Sequence, residues 1–180
     1  MNKRYQYLIV IMIVVVVYAF GFYIANHQDP LDIVYPDTDT ILGKNDFLVD
    51  FSTGQLKIGI SDWDEVVQVL PQGKMLGMST IYSPENLDIL LTFTEDENIL
   101  CKLHISDSSI MTNRAIKVSD PFSKVVEAYG PNYASVSKKG DKDNFDAAYG
   151  ADNSTSIIFQ IRNNLVSKII LQRDPAALNY

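Results

Sequence analysis

The sequence predicts an α+β protein, built as two tandem helix-plus-antiparallel-sheet repeats after a single N-terminal transmembrane helix. Three observations predict it. An uncharged apolar run stands near the N-terminus, two short amphipathic segments share one pattern, and each is followed by a hairpin pattern. The chain has 180 residues, 47% hydrophobic, with net charge -7. That makes one ordinary domain or two small ones, too apolar for a disordered protein and too acidic for a nucleic-acid binder. One cysteine excludes an intrachain disulfide, and two isolated histidines leave little for a zinc site.

Leu8 to Ala25 is an uncharged run of 18 residues, LIVIMIVVVVYAFGFYIA. As a helix it spans roughly 27 Å, close to the hydrocarbon thickness of a bilayer. Lys3 and Arg4 precede it and the first acid, Asp29, lies beyond it, so the positive-inside bias keeps Met1 in the cytoplasm and exports the rest. The rival reading is a cleaved signal peptide, whose apolar region is shorter and ends in a small-x-small site. Here a cut after Ala25 would put Tyr23 at the minus-three position. The expected organisation is therefore a cytoplasmic tip and membrane anchor over 1–25, an irregular stalk over 26–46, and repeat units over 47–111 and 112–180. The exported part carries 13 basic and 22 acidic residues, net -9, which argues against nucleic acid and broad anionic surfaces.

Trp63, Val66, Val67 and Leu70 fall at i, i+3, i+4 and i+7, as do Phe122, Val125, Val126 and Tyr129, 59 residues later. Both sets mark one face of a short helix. Ser61 with Asp64 three residues on resembles a capping box, and Asp120-Pro121 reads as an N-cap before a proline at the first helical position. Pro71 and Gly130-Pro131 supply the stops.

Leu91 to Ile105 then alternates and turns as Ile157 to Leu171 does, at an offset of 66. Each reads as a β-hairpin whose polar turn ends in asparagine, Asn98 or Asn164. Thr80–Tyr82 and Phe145–Tyr149 add a weaker strand signal each. The odd-numbered residues, Leu91, Phe93, Cys101, Leu103 and Ile105, then Ile157, Phe159, Ile161, Ile169 and Leu171, are expected on one buried face under the helices. Cys101 reads there as a small buried hydrophobe rather than a nucleophile.

No G-x-S-x-G, P-loop, H-E-x-x-H or C-x-x-C motif occurs, so neither enzymatic activity nor a cofactor is expected. Glu95-Asp96-Glu97 and the Asp141–Asp146 loop read as solvated charge. The latter lacks the glycine and final glutamate of a calcium-binding EF-hand loop.

The segment Thr112-Asn-Arg-Ala-Ile-Lys-Val-Ser-Asp-Pro-Phe-Ser-Lys-Val-Val-Glu-Ala-Tyr-Gly-Pro131 resembles the recurring unit of membrane-anchored or secreted Gram-positive proteins of unknown function. Those units are similar to the helix-plus-sheet repeat of the β-lactamase-inhibitor-protein-like fold and of small outer-membrane assembly lipoproteins. The resemblance covers 112–131 well and 56–71 weakly, and the usual pattern has glycine where Ala115 and Ser119 stand here. It implies an exported binding or scaffold module rather than an enzyme. No inhibitory residues carry over, and the disulfides of the inhibitor proteins have no counterpart in a chain with one cysteine.

The even-numbered hairpin residues are left facing away from the helices. Among them Lys102, His104, Arg162 and Lys168 are the candidate partner-binding residues, interspersed with Leu90, Ile158 and Ile170 and with no acid in the hairpin strands. Lys102 and Lys168 hold equivalent positions, so sheets lying side by side would join them in a basic stripe. The expected function is a non-catalytic, membrane-anchored extracytoplasmic binding or scaffold protein, its partner an acidic protein or an anionic wall polymer. The alternative is a surface-held inhibitor or regulator of a secreted enzyme.

Overall fold

The two amphipathic segments form short helices in the computed structural model, which describes residues 31–152 and 154–175. Helix α1 spans Trp63–Val69 and α2 spans Phe122–Tyr129. The start of α1 lies one residue beyond the capping-box expectation: Asp62 is the N-cap, its carboxylate accepting from the Glu65 N–H at 2.9 Å. Ser61 is buried instead, its hydroxyl oxygen accepting from the Lys57 N–H. Before α2, Pro121 holds the cap position, and Asp120 accepts from the Lys117 N–H and the Lys124 ammonium, both at 2.9 Å. Gly130, at φ +90°, ends α2 in a conformation that costs a Cβ-bearing residue energy.

The described residues also form eleven strands: β1 (Leu31–Val34), β2 (Leu48–Phe51), β3 (Gly54–Lys57), β4 (Gly73–Met75), β5 (Ile81–Pro84), β6 (Ile89–Phe93), β7 (Leu100–Ile105), β8 (Ala134–Lys138), β9 (Asn144–Asp152), β10 (Thr155–Arg162) and β11 (Leu165–Arg173). Strands β2 and β3 pair alone. The other nine form one sheet in the order β1-β8-β9-β10-β11-β7-β6-β5-β4, antiparallel throughout from β8 to β4.

This corrects the expected fold class. The described residues are dominated by antiparallel sheet, with two short helices among them, and do not divide into two helix-plus-sheet units with sheets of their own. The decisive contact is β11 with β7, where Ile169 opposes Ile105 and Leu171 opposes Leu103. Left apart, both strands would present a row of unpaired N–H and C=O groups, and pairing them removes two exposed edges at once. Part of the expected stalk also belongs to the fold: residues 31–34 form an edge strand, and Asp46 and Phe47 are buried at the end of a 3-10 turn over Lys44–Phe47. The membrane segment at 8–25 lies outside the described residues, among which no helix is long and apolar enough to cross a bilayer.

One face of the sheet is packed. Leu91, Leu103, Ile105, Ile157, Phe159, Ile161, Ile169 and Leu171 are wholly enclosed there together with Val66 of α1 and Val125 of α2. Trp63 meets Phe93 edge-on with centroids 5.3 Å apart, and Tyr129 meets Phe159 at 5.1 Å.

Cys101 departs from this pattern. Lys102 opposes Thr92 while Leu100 opposes Phe93, so Cys101 is the extra residue of a β-bulge and Leu100 takes the buried position. In the other hairpin Lys168 opposes Gln160 and Val166 opposes Ile161, leaving Ser167 as the extra residue. Both bulge side chains donate back across the ladder, Cys101 to the Thr92 carbonyl and Ser167 to the Gln160 carbonyl. These partners differ from the constant offset of 66 by two residues. The turn Asn163-Asn164, with both residues left-handed, is tighter than the turn ending at Asn98.

Candidate functional site

The face of the sheet opposite the helices is open, and its register can be read across the strands. The central row runs Leu90, His104, Ile170, Ile158, Ala148, Ala134, each directly opposite the next. All six are half-buried, as expected of side chains covered only by their sheet neighbours. On one side of this row lie Thr92, Lys102 and Gln172, and on the other Lys168, Gln160, Asp146 and Val136. The face is thus an apolar band with polar margins, the general composition of a protein-binding surface.

Lys102 and Lys168 are brought onto adjacent strands, one to each side of the His104–Ile170 pair. They make a short diagonal through His104 rather than a continuous stripe. Among the described residues neither lysine forms an ion pair. His104 feels both. Its burial first, then the charges of Lys102 and Lys168, hold the imidazole below its ordinary pKa, so the ring stays neutral close to neutral pH.

Arg162 is separate from this group. It sits at the end of β10, where its guanidinium donates to the Asp146 carboxylate and to the Phe145 carbonyl, each at 3.1 Å. Asp146 also accepts from Gln160. The hairpin strands β6, β7, β10 and β11 bring no acid to this face; the acid beside them, Asp146, is contributed by β9. Alternation over 145–149 was a weak signal for a strand that is in fact nine residues long. Of the four candidate residues, the fold assembles Lys102, His104 and Lys168 and draws Arg162 into a local ion pair.

Beside Lys102 the face opens into a cleft of about 400 Å³. Thr92, Thr94, Cys101, Gln172 and Asp174 are among the residues that line it. Burial pushes the Cys101 thiol above its ordinary pKa, and Asp174 adds to the rise, so the sulfur is held protonated rather than activated. The spacing of the sequence alone gave no sign of this cleft, because it depends on the bulge that turns Cys101 out of the core.

Among the described residues no three histidine, cysteine or acidic side chains converge as a metal site. The Asp141 carboxylate closes its own loop, accepting from the Asp143 and Asn144 N–H groups and from the Asn144 amide, and these bonds hold its pKa down. No family model, no curated protein and no solved structure matches the chain.

Proposed function

We propose that this protein is a non-catalytic binding or scaffold module of the cell envelope. Residues 8–25 anchor it, the C-terminal domain lies outside the membrane, and the open face of the nine-stranded sheet takes an anionic partner. One observation carries this reading: two lysines that form no ion pair among the described residues flank a neutral histidine in the middle of an apolar band. Such a surface offers contact area and charge together, and an anion approaching it would gain two lysines and make protonation of His104 easier. The chemistry of the neighbours suits binding better than catalysis. His104 has lysines beside it instead of a carboxylate to orient it, and Cys101 is a protonated bulge residue.

The test is binding of the full chain in detergent micelles to two polyanions, polyglutamate for an acidic protein and poly(glycerol phosphate) for a wall polymer. Binding is expected to weaken with salt and to be lost in the K102E/K168E variant at unchanged melting temperature. Equal binding by the folded variant would contradict the assignment.

A further inference from the structure

A second surface lies at the far edge of the sheet, and its chemistry is opposite. Strand β4 is the last strand in the order and is paired on one side only. The Leu76 N–H donates to the Ile81 carbonyl and the Glu85 N–H to the Gln72 carbonyl. Main-chain groups alternate sides along an antiparallel strand, so Gln72, Lys74 and Leu76 face β5 while those of Gly73 and Met75 face outward. Two consecutive outward-facing residues are what an added strand needs to begin pairing.

Next to Met75 is a cleft of about 340 Å³. Trp63 and Phe93 give it aromatic walls, and Asn98 also lines it. Leu76 and Met75 are each more than a third exposed, and Met78, at the tip of the hairpin, is fully exposed. The soft, unbranched Met75 beside Trp63 and Phe93 suits a variable apolar side chain.

The surroundings select the charge of the occupant. Trp63 is flanked in sequence by Asp62, Asp64 and Glu65, and Asn98 is preceded directly by Glu95, Asp96 and Glu97. The bridge between Asp62 and Ile99 places these two acidic runs side by side. All six acids are exposed, and none is in an ion pair among the described residues. Lys74 adjoins Met75 in sequence, and Lys57 and Lys102 each stand five residues from an acidic run. An anionic bilayer or a second copy of this acidic chain would be repelled here.

We propose that the free edge of β4 and the Trp63 cleft form a docking groove for an extended segment of a partner protein in which lysines or arginines alternate with apolar residues. The main chain of that segment pairs with Gly73 and Met75, one apolar side chain enters the cleft, and its cations face the two acidic runs. This groove is distinct from the open-face site and does not depend on it.

Trp63 is the single tryptophan of the chain, so its emission reports the cleft directly. The full chain in micelles is titrated with a fluorescein-labelled synthetic heptapeptide alternating lysine with valine and phenylalanine, and with its glutamate counterpart. The lysine peptide should shift Trp63 emission saturably, and the glutamate peptide should not bind. The E95K/D96K/E97K variant, altered only in an exposed turn, should weaken binding by about tenfold or more at unchanged melting temperature. Met75→Pro, which removes an outward N–H that β5 does not use, should weaken it independently. A Trp63 emission unmoved by the lysine peptide overturns the proposal. So does undiminished binding by the folded charge-reversed variant, or the same emission shift produced instead by anionic vesicles or by self-association.

Discussion

Arg114 grips Asp46 through two parallel hydrogen bonds, Nε to Oδ1 at 2.6 Å and a terminal nitrogen to Oδ2 at 2.7 Å. The carboxylate is buried, and the guanidinium also donates to the Ala128 carbonyl and lies 4.5 Å from the centre of the Tyr129 ring. Arg114, 68 residues from Asp46 in sequence, therefore ties the 3-10 turn before β2 to the C-terminal end of α2. Asp46→Ala should cost about 2–3 kcal/mol in chemical denaturation, below the full range for a buried pair because Arg114 keeps some access to water. Arg114→Lys should recover little, since an ammonium cannot make both bonds. A loss within experimental error for Asp46→Ala would contradict this role.

Ala115 and Ser119 sit at φ +59° and +74°, the left-handed region that disfavours a Cβ. These are the two positions at which the resembling pattern carries glycine. Ala115→Gly and Ser119→Gly should each raise stability by about 0.5–1 kcal/mol, the relief of strain outweighing the extra freedom of the unfolded chain. Thermal denaturation checks both, and a lowered melting temperature for either would show that its Cβ is held by contacts worth more than the strain.

Val66 of α1 and Val125 of α2 are both wholly enclosed. Aspartate at either position would put an unpaired carboxylate into the core, at a cost of about 3 kcal/mol or more. Denaturation midpoints of the two variants should fall alike, and a negligible drop for either would mean that its helix face is misassigned.

Much of the local structure was legible. The spacing of Trp63, Val66 and Leu70 and of Phe122, Val125 and Tyr129 located both helices, and alternation located both hairpins, because burial imposes a period on each element. The open-face assignment of Lys102, His104 and Lys168 followed from the same alternation. What period cannot reveal is which strand joins which. Nothing local in Leu103 or Leu171 says that β7 and β11 pair, so one nine-stranded sheet was read as two smaller structures. Bulges are equally silent: a single extra residue at Cys101 moved it out of the core and Leu100 into it. Asp146, in the weakly patterned β9, took Arg162 out of the candidate site for the same reason.

The suppressed pKa of His104 has a consequence for stability. The folded protein resists protonation of this ring more than the unfolded chain does, so stability should fall as pH drops from about 6.5 toward the lower folded value. Lys168→Gln removes one flanking charge and should raise the His104 midpoint and lessen that loss, as read by ring-proton NMR and melting curves across pH 5–7. An unchanged midpoint would mean that Lys168 does not act on His104.

The same resonance tests the account of the open face most directly. In a His27→Gln background, leaving His104 as the single histidine, its NMR titration is recorded alone and with saturating polyglutamate or poly(glycerol phosphate). A polyanion bound across Lys102 and Lys168 should raise the His104 midpoint, because the added negative charge favours the imidazolium and offsets the two lysines. Bound polyanion with an unmoved His104 midpoint would place the binding elsewhere and contradict the account.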